Sequence, residues 1–481
     1  MSIINSTKRK AVKGVAWSAV ERFSVQGVQF VVSIILARLL TPDDFGLVAI
    51  ILVFSTIFQT INDAGFNTAL IHKQNRDDLD YSTALITNVF IGICSYFILF
   101  FTAPWIAAFY DNTALIKAMR ILSLNLIISA FGLVPVAIYT IRVDFKTQAK
   151  ASLAASILSG VIGIISAYVL RNVYAIIIQQ LSHSLIYVSL MWIFAKYRVS
   201  FLFSKERFNG LFQFASKLIG ARLISVVFDD IYSLAIGKLY SPGVLGCYNR
   251  AQSFSQILSK NIINIVQRVS VPMLCETQNN YKQMQSVLLR FMSSTALIVY
   301  PMLAGMMVLS KPLILSLLGE QWLDTADFLL YICPIGFLYL ISTFNRNVYN
   351  ATGRTDLALK TEIIKKTIFI LVFLLTMKYD IHVLLLGLIL ISVIEMLIDV
   401  RMVKQQIGLS LFDEIKSLFP IFIASAAMSM IVYFSVLLVA GNAFKLIVGV
   451  TAGITSYLMI IFVFNIASFR TELFNYYGKT K

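Results

Sequence analysis

Five stretches of this chain, residues 81–110, 151–170, 291–310, 417–444 and 446–469, contain no Lys, Arg, Asp or Glu. Each is at least as long as the roughly 20 residues that an apolar helix needs to cross the hydrocarbon core of a bilayer. With 58% hydrophobic and 13% charged residues and a mean hydropathy of +0.81, the chain has more apolar surface than one aqueous domain can bury. It reads as an all-α integral membrane protein.

The second constraint is a repeat. Residues 38–46, RLLTPDDFG, return as residues 238–246, KLYSPGVLG. Arg38 matches Lys238, Leu39 matches Leu239, Thr41 matches Ser241, Pro42 matches Pro242 and Gly46 matches Gly246. Pro104 and Pro312 supply a second anchor at nearly the same offset, so the chain reads as a tandem duplication. In each copy proline disfavours helix in the residue before it, and the glycine is expected to permit a bend between two apolar runs.

About fourteen spans follow, at residues 14–40, 45–71, 82–109, 116–141, 149–170, 173–195, 211–238, 243–271, 286–309, 326–350, 360–377, 381–403, 417–438 and 444–466. Six precede the second repeat copy. An even number per copy gives two like-oriented six-helix lobes around a central cavity, with two extra helices at the end. The expected divisions are residues 1–195, a linker at 196–210, a second lobe at 211–405, and residues 406–481. The linker, KYRVSFLFSKERFNG, mixes Phe201, Phe203 and Phe208 with basic residues, as a strap in the headgroup layer or an ordinary basic loop would.

The formal charge of +16 would suggest nucleic acid in a soluble protein, but it is spread over short loops and reads as topology. Roughly 27 of the 40 Lys and Arg fall at the termini and the even-to-odd connections, which predicts both termini in the cytoplasm. No nucleic-acid partner is expected. The four cysteines, Cys94, Cys247, Cys275 and Cys333, have no paired spacing, and His72, His183 and His382 are scattered, so neither disulfides nor a metal site is indicated. The basic start, MSIINSTKRK, reads as leading into a retained first helix.

Charges deep in a bilayer cost about 2.5–3.5 kcal/mol each on insertion scales, so they usually line water or pair with one another. Here they concentrate on the first two helices of each half. The first span carries Glu21, Arg22, Gln26, Gln29 and Ser33 on one stripe, and the second Gln59, Asn62 and Asp63. The seventh holds Lys217, Arg222, Asp229 and Asp230, and the eighth Gln252, Gln256, Lys260 and Asn264. Pairwise contributions from two like-oriented halves describe a central cleft whose cations, Arg22, Arg222 and Lys260, suit phosphate or pyrophosphate. Gln26, Gln29, Gln59, Asn62, Gln252 and Gln256 would complete its polar lining. Glu21, Asp63, Asp229 and Asp230 are read either as partners of those cations or as ion-coupling groups. Glu395 and Asp399 are expected to face a protein neighbour or the cytoplasmic interface, since no other reactive group accompanies them. Pro135 and Pro301 are expected to kink their spans.

The run VVSIILARLLTPDDFGLVAIILVFSTIFQTINDAGFNTALI, with the ARLLTPDDFG stretch, the DAGF at 63–66 and the later YSTALITNVFIG, resembles the opening of the polysaccharide flippases of the MOP superfamily. Within that superfamily it looks like the Wzx-type group associated with O-antigen, colanic-acid-like and teichuronic-acid-like polymers. The resemblance implies two six-helix lobes carrying undecaprenyl-pyrophosphate-linked oligosaccharide from the cytoplasmic to the outer leaflet of a bacterial cytoplasmic (inner) membrane. It implies a pyrophosphate role for Arg22, Arg222 and Lys260, no bound cofactor, and coupling to Na⁺ or H⁺ left open. The lipid-linked oligosaccharide, membrane lipids and other polysaccharide assembly proteins are the implied partners.

Two alternatives remain at this level. A cation-coupled exporter of small amphipathic compounds would share the two-lobe fold but favour a more acidic, aromatic cavity. A membrane glycan polymerase or ligase would need a sizeable outside loop bearing acid, base or metal residues, whereas the outside loops here are short.

Overall fold

A computed structural model describes residues 24–64, 66–195, 200 and 202–466. Every regular element among them is helical. The first is α1, whose described part is Ser24–Leu39. It is followed by α2 (Pro42–Ala64), α3 (Phe66–His72), α4 (Asp78–Phe109), α5 (Ala114–Leu122), α6 (Leu124–Ala130), α7 (Leu133–Ile141), α8 (Phe145–Leu170), α9 (Tyr174–Ala195) and α10 (Lys205–Leu239). The remainder comprises α11 (Pro242–Leu258), α12 (Lys260–Glu276), α13 (Tyr281–Val308), α14 (Ser310–Leu317), a 3₁₀ turn at Glu320–Trp322, α15 (Leu323–Ala351), α16 (Thr355–Thr376), α17 (Ile381–Ile407), α18 (Leu411–Leu437) and α19 (Asn442–Phe464).

Nine helical segments among the described residues are long and apolar enough to span a bilayer, and the bent pair Ala114–Ala130 and Leu133–Ile141 would make a tenth. The expected spans that miss this threshold are the polar α10, α11 with α12, and α16, together with α1, whose described part is apolar but short. The residues cluster into two compact units, one ending at Gly246 and the other beginning at Cys247.

The repeated loop folds as its residues dictate. Thr41 and Ser241 precede prolines that stand first in α2 and α11, the favoured place for a residue that lacks an N–H. The Thr41 hydroxyl accepts from the Asp44 N–H, whose carboxylate accepts in return from the Thr41 N–H at 3.0 Å. The Val244 N–H donates to the Ser241 hydroxyl at 3.2 Å. The glycines do a different job from the one expected. Gly46 and Gly246 lie inside helices, and each leaves room for the other copy's backbone. A Cβ on Gly46 would stand 1.7 Å from the Pro242 carbonyl oxygen, and one on Gly246 would stand 2.1 Å from that of Pro42.

In the first unit, α2 packs along α10, and α8 pairs closely with α9. The α8–α9 pair depends on small residues, since a Cβ on Gly163 would meet the Gln179 side chain at 2.5 Å. The fourth expected span is broken into α5, α6 and α7, with a 41° bend between its two parts. Pro135 sits in the first turn of α7, just past the bend. A proline has no N–H for the carbonyl four residues earlier. Here that carbonyl is Phe131, which accepts from the Trp192 indole N–H at 2.9 Å. Two buried asparagines serve neighbouring carbonyls, Asn62 donating to Leu126 and Asn88 to Ala130.

The α4 N-terminus ties down the segment before α10. Asp77 and Asp80 form a reciprocal capping box. The fully buried Asp80 carboxylate also receives Lys73 at 2.5 Å and faces the Arg207 guanidinium at 3.7 Å, while Arg207 reaches Asp77 at 3.0 Å. The Asp80 backbone N–H, then its side chain, and then the charges of Arg207 and Lys73 hold the Asp77 carboxyl below the usual carboxylate range. Ser82 donates to the Ser200 carbonyl, and the Ser204 N–H donates to Thr83.

Candidate substrate-binding site

In the first unit, Gln26 is half-buried and Gln29 exposed on α1, while Glu21 and Arg22 lie outside the described residues. On α2, Gln59 is half-buried, whereas Asn62 is fully buried against α6 with its amide committed to the Leu126 carbonyl at 3.4 Å. The Asp63 backbone closes α2, but its side chain is outside the description, as is that of Asp229. On α10, Arg222 is exposed and Asp230 half-buried with partners of its own.

In the second unit, Gln252 and Gln256 are half-buried one helical turn apart on α11. The eighth expected span is interrupted at Ser259, where the hydroxyl turns back to the Ser255 carbonyl at 2.8 Å and α12 begins with Lys260. The Lys260 ammonium lies 5.6 Å from the centre of the Tyr339 ring on α15 and makes no ion pair among the described residues. A cation held by a ring face rather than by a carboxylate keeps its charge available to an anion.

The second unit also contains polar side chains that the periodicity of the first two helices per half did not reveal. Arg346, two turns beyond Tyr339, is held by the Thr343 hydroxyl at 3.3 Å and faces Glu362 of α16 at 3.8 Å. Lys365 and Asp399 form a pair at 2.6 Å with side chains 3% and 0% exposed. The Tyr349 hydroxyl donates to the Asp399 carbonyl at 3.1 Å and touches its carboxylate at 3.4 Å. Asp399 thus faces protein, as one of its two expected environments requires. Nearby, the Asn345 amide donates to Glu414 at 3.1 Å, and the Gln267 amide donates to Asn347 at 3.0 Å. The visible sequence signal was the charge density of α16, with Lys360, Glu362, Lys365 and Lys366 on a segment otherwise apolar enough to span.

A cavity of about 500 Å³ opens among α13, α18 and α19. Its walls are almost wholly apolar, with Met302, Leu309, Met428, Val432 and Ile454 among them, and Gly305, Gly449 and Gly453 leave its width unfilled. Among the described residues no group of three His, Cys, Asp or Glu could hold a metal ion.

These features can be set beside known proteins. The fold matches the lipid II flippase MurJ in its inward closed conformation, with a TM-score of 0.75 at 17% identity, covering 94% of this chain and 98% of that one. It also matches an inward-facing multidrug resistance MATE family transporter of the MOP superfamily, with a TM-score of 0.60 at 12% identity, over 81% of this chain and 98% of that one. The chain therefore shares the fold of these two proteins. Within it, residues 35–327 match the model of the polysaccharide biosynthesis protein family, and the chain belongs to that family. The teichuronic acid biosynthesis protein TuaB of Bacillus subtilis is 25% identical over 73% of this chain and 74% of its own length. The lipopolysaccharide biosynthesis protein WzxC of Escherichia coli is 23% identical over 76% and 75%.

Proposed function

We propose that this protein is a flippase that moves undecaprenyl-pyrophosphate-linked oligosaccharide from the cytoplasmic to the outer leaflet for surface polysaccharide synthesis. The observation that carries the reading is the family match on a MurJ-like fold, with relatives named for teichuronic acid and lipopolysaccharide biosynthesis. A bacterial cytoplasmic membrane, cytoplasmic termini and contact with other polysaccharide assembly proteins belong to the same proposal. So does transport without covalent catalysis.

The physical problem is a cargo with two solubilities. Pyrophosphate and sugars cannot cross hydrocarbon unaided, whereas a polyprenyl chain can stay in it. Arg22, Arg222 and Lys260 are assigned to the pyrophosphate, and Gln26, Gln29, Gln59, Gln252 and Gln256 to the polar lining of the path, whereas Asn62, buried with its amide on the Leu126 carbonyl, ties α2 to α6 instead of lining it. The Lys260 ammonium, set against the Tyr339 ring and without an ion pair among the described residues, supports its part in this. The apolar cavity among α13, α18 and α19 suits the polyprenyl tail. Two negative charges moving outward across a membrane negative inside gain about 2.3 kcal/mol each per 100 mV, so the potential itself assists export. Glu21, Asp63, Asp229 and Asp230 are retained as charge partners or ion-coupling groups.

The decisive experiment deletes the gene in its host and assays which leaflet holds the lipid-linked oligosaccharide. Accumulation of the complete unit on the cytoplasmic side with loss of surface polymer is expected; unchanged lipid-linked sugars would redirect the reading to small-molecule export. Arg22→Ala, Arg222→Ala and Lys260→Ala should each lower surface glycan with the protein still in the membrane. Normal output in all three would remove the pyrophosphate role.

A further inference from the structure

Glu414 is 1% exposed in the first turn of α18 and makes no ion pair among the described residues. One of its oxygens, Oε2, accepts from the Asn345 Nδ2 amide at 3.1 Å; the other, Oε1, is buried without a partner. Asn345 is 0% exposed, and its own oxygen, Oδ1, is also buried without a partner. An ionised carboxylate can only accept, and the amide oxygen can only accept. As an ionised pair, therefore, these two planar groups leave two acceptors unmet in a site closed to water. Each orphan of this kind costs about 1–3 kcal/mol.

A single proton removes both deficits. Placed on Glu414 Oε1, it would be donated to Asn345 Oδ1 while Asn345 Nδ2 donates to Oε2, closing an acid–amide ring in which neither oxygen is left an orphan. We propose that Glu414 and Asn345 form a proton-binding site in the second unit, loaded and emptied during the transport cycle. The binding stands on its own geometry; its use in transport rests on the flippase reading.

Among the described residues no cation is paired with Glu414. On α16 and α17 the buried Lys365 is engaged by Asp399, with Glu362 and Glu395 beyond; on α15 Arg346 turns to Thr343 and Glu362. On α13 the Tyr300 hydroxyl contacts the Phe337 carbonyl, and Arg290 is exposed and has a partner of its own. On α18 itself Asp413 caps Ser410 and Lys416 is exposed, while the ionisable groups of α19 are Lys445 in its first turn and Tyr457, whose hydroxyl donates to the Leu297 carbonyl. The Ser293 and Ser417 hydroxyls, 2.5 Å apart, clamp α13 to α18 one turn past Glu414.

Infrared pH-difference spectroscopy on the full chain in lipid vesicles tests the binding without any cargo. Wild type should show the carbonyl band of a buried protonated acid that appears and disappears with pH. Glu414→Gln, whose amide can keep the same ring with Asn345, should fold normally and lose that band. Asn345→Leu should keep the band but move it to higher frequency, since the acid carbonyl loses its donor. A band unchanged in Glu414→Gln overturns the site. For its use, flipping of lipid-linked oligosaccharide in the same vesicles should respond several-fold to an imposed pH gradient in wild type and not in Glu414→Gln. An equal response in both overturns the coupling. A Glu414-dependent band with no flipping under any gradient leaves the site standing and sinks the flippase reading alone.

Discussion

The contact between Gly46 and Pro242, and its mirror between Gly246 and Pro42, is made by backbone against backbone, so neither side can yield by turning a rotamer. Gly46→Ala or Gly246→Ala should therefore destabilise the protein by about 1–3 kcal/mol, the usual cost of overpacking. Gly220→Ala, on α10 with nothing within 4 Å of the new Cβ, should instead be neutral or slightly stabilising, because alanine is the better helix former. Thermal unfolding of the three variants in detergent checks this, and equal midpoints would remove the argument for close approach. Lys365 and Asp399 pose the opposite problem, a pair whose members are costly only when separated. Lys365→Ala should cost about 3–5 kcal/mol by stranding a buried carboxylate, while Lys365→Met with Asp399→Leu should recover most of the loss. The same unfolding assay decides; a double variant as unstable as the single one would mean that packing rather than charge sets the cost. These residues also mark what could be read in advance. The glycines were visible as a repeat, but their purpose was not, because the partner of each lies in the other copy, about 200 residues away.

At the level of helices, the five charge-free runs fell on the spanning helices α4, α8, α13, α18 and α19, because lipid tolerates little else at that length. The interruption at Ser259 escaped the sequence reading because Leu258, Ser259 and Lys260 carry neither the proline nor the glycine that marks a break. Pro135 was expected to kink its span, and the structure adds what makes the kink tolerable: the Trp192 indole serves the carbonyl that proline leaves unmet. Trp192→Phe should cost about 1–3 kcal/mol by orphaning the Phe131 carbonyl. In a Pro135→Ala background the restored N–H can take over that carbonyl, so Trp192→Phe should then cost clearly less. A double-mutant cycle by thermal unfolding measures the difference, and strict additivity would show that the indole acts by packing alone. The polar face of α16 escaped for a different reason. Its five charges fall between Asp356 and Lys366, near a span end, and only the approach of α15 and α17 shows that Lys365 is buried.

For the whole molecule, the duplication predicts that what happens at one repeated loop happens at the other, and the two loops do meet, each α2-type helix start lodged on the other's glycine. The C-terminal end of α10 has further ties within the first unit, with Lys238 paired to Asp111 at 2.7 Å and the Tyr110 hydroxyl donating to the Leu234 carbonyl at 3.2 Å. A transporter that opens to each side in turn must break such ties once per cycle if they close the outer side. Asp43 and Gly243 offer a way to ask, because an Asp43 carboxylate oxygen lies 3.0 Å from where a Gly243 Cβ would stand, within reach of a disulfide once both are cysteine. Asp43→Cys with Gly243→Cys should cross-link under oxidation, with the bond located by mass spectrometry so that the native cysteines do not confuse it. Surface glycan should fall to the level of the gene deletion while the bond is intact and return on reduction, with each single cysteine variant exporting normally. Full cross-linking with undiminished export would mean that the two loops stay joined throughout transport, and the opening would then have to be sought at some other part of the fold.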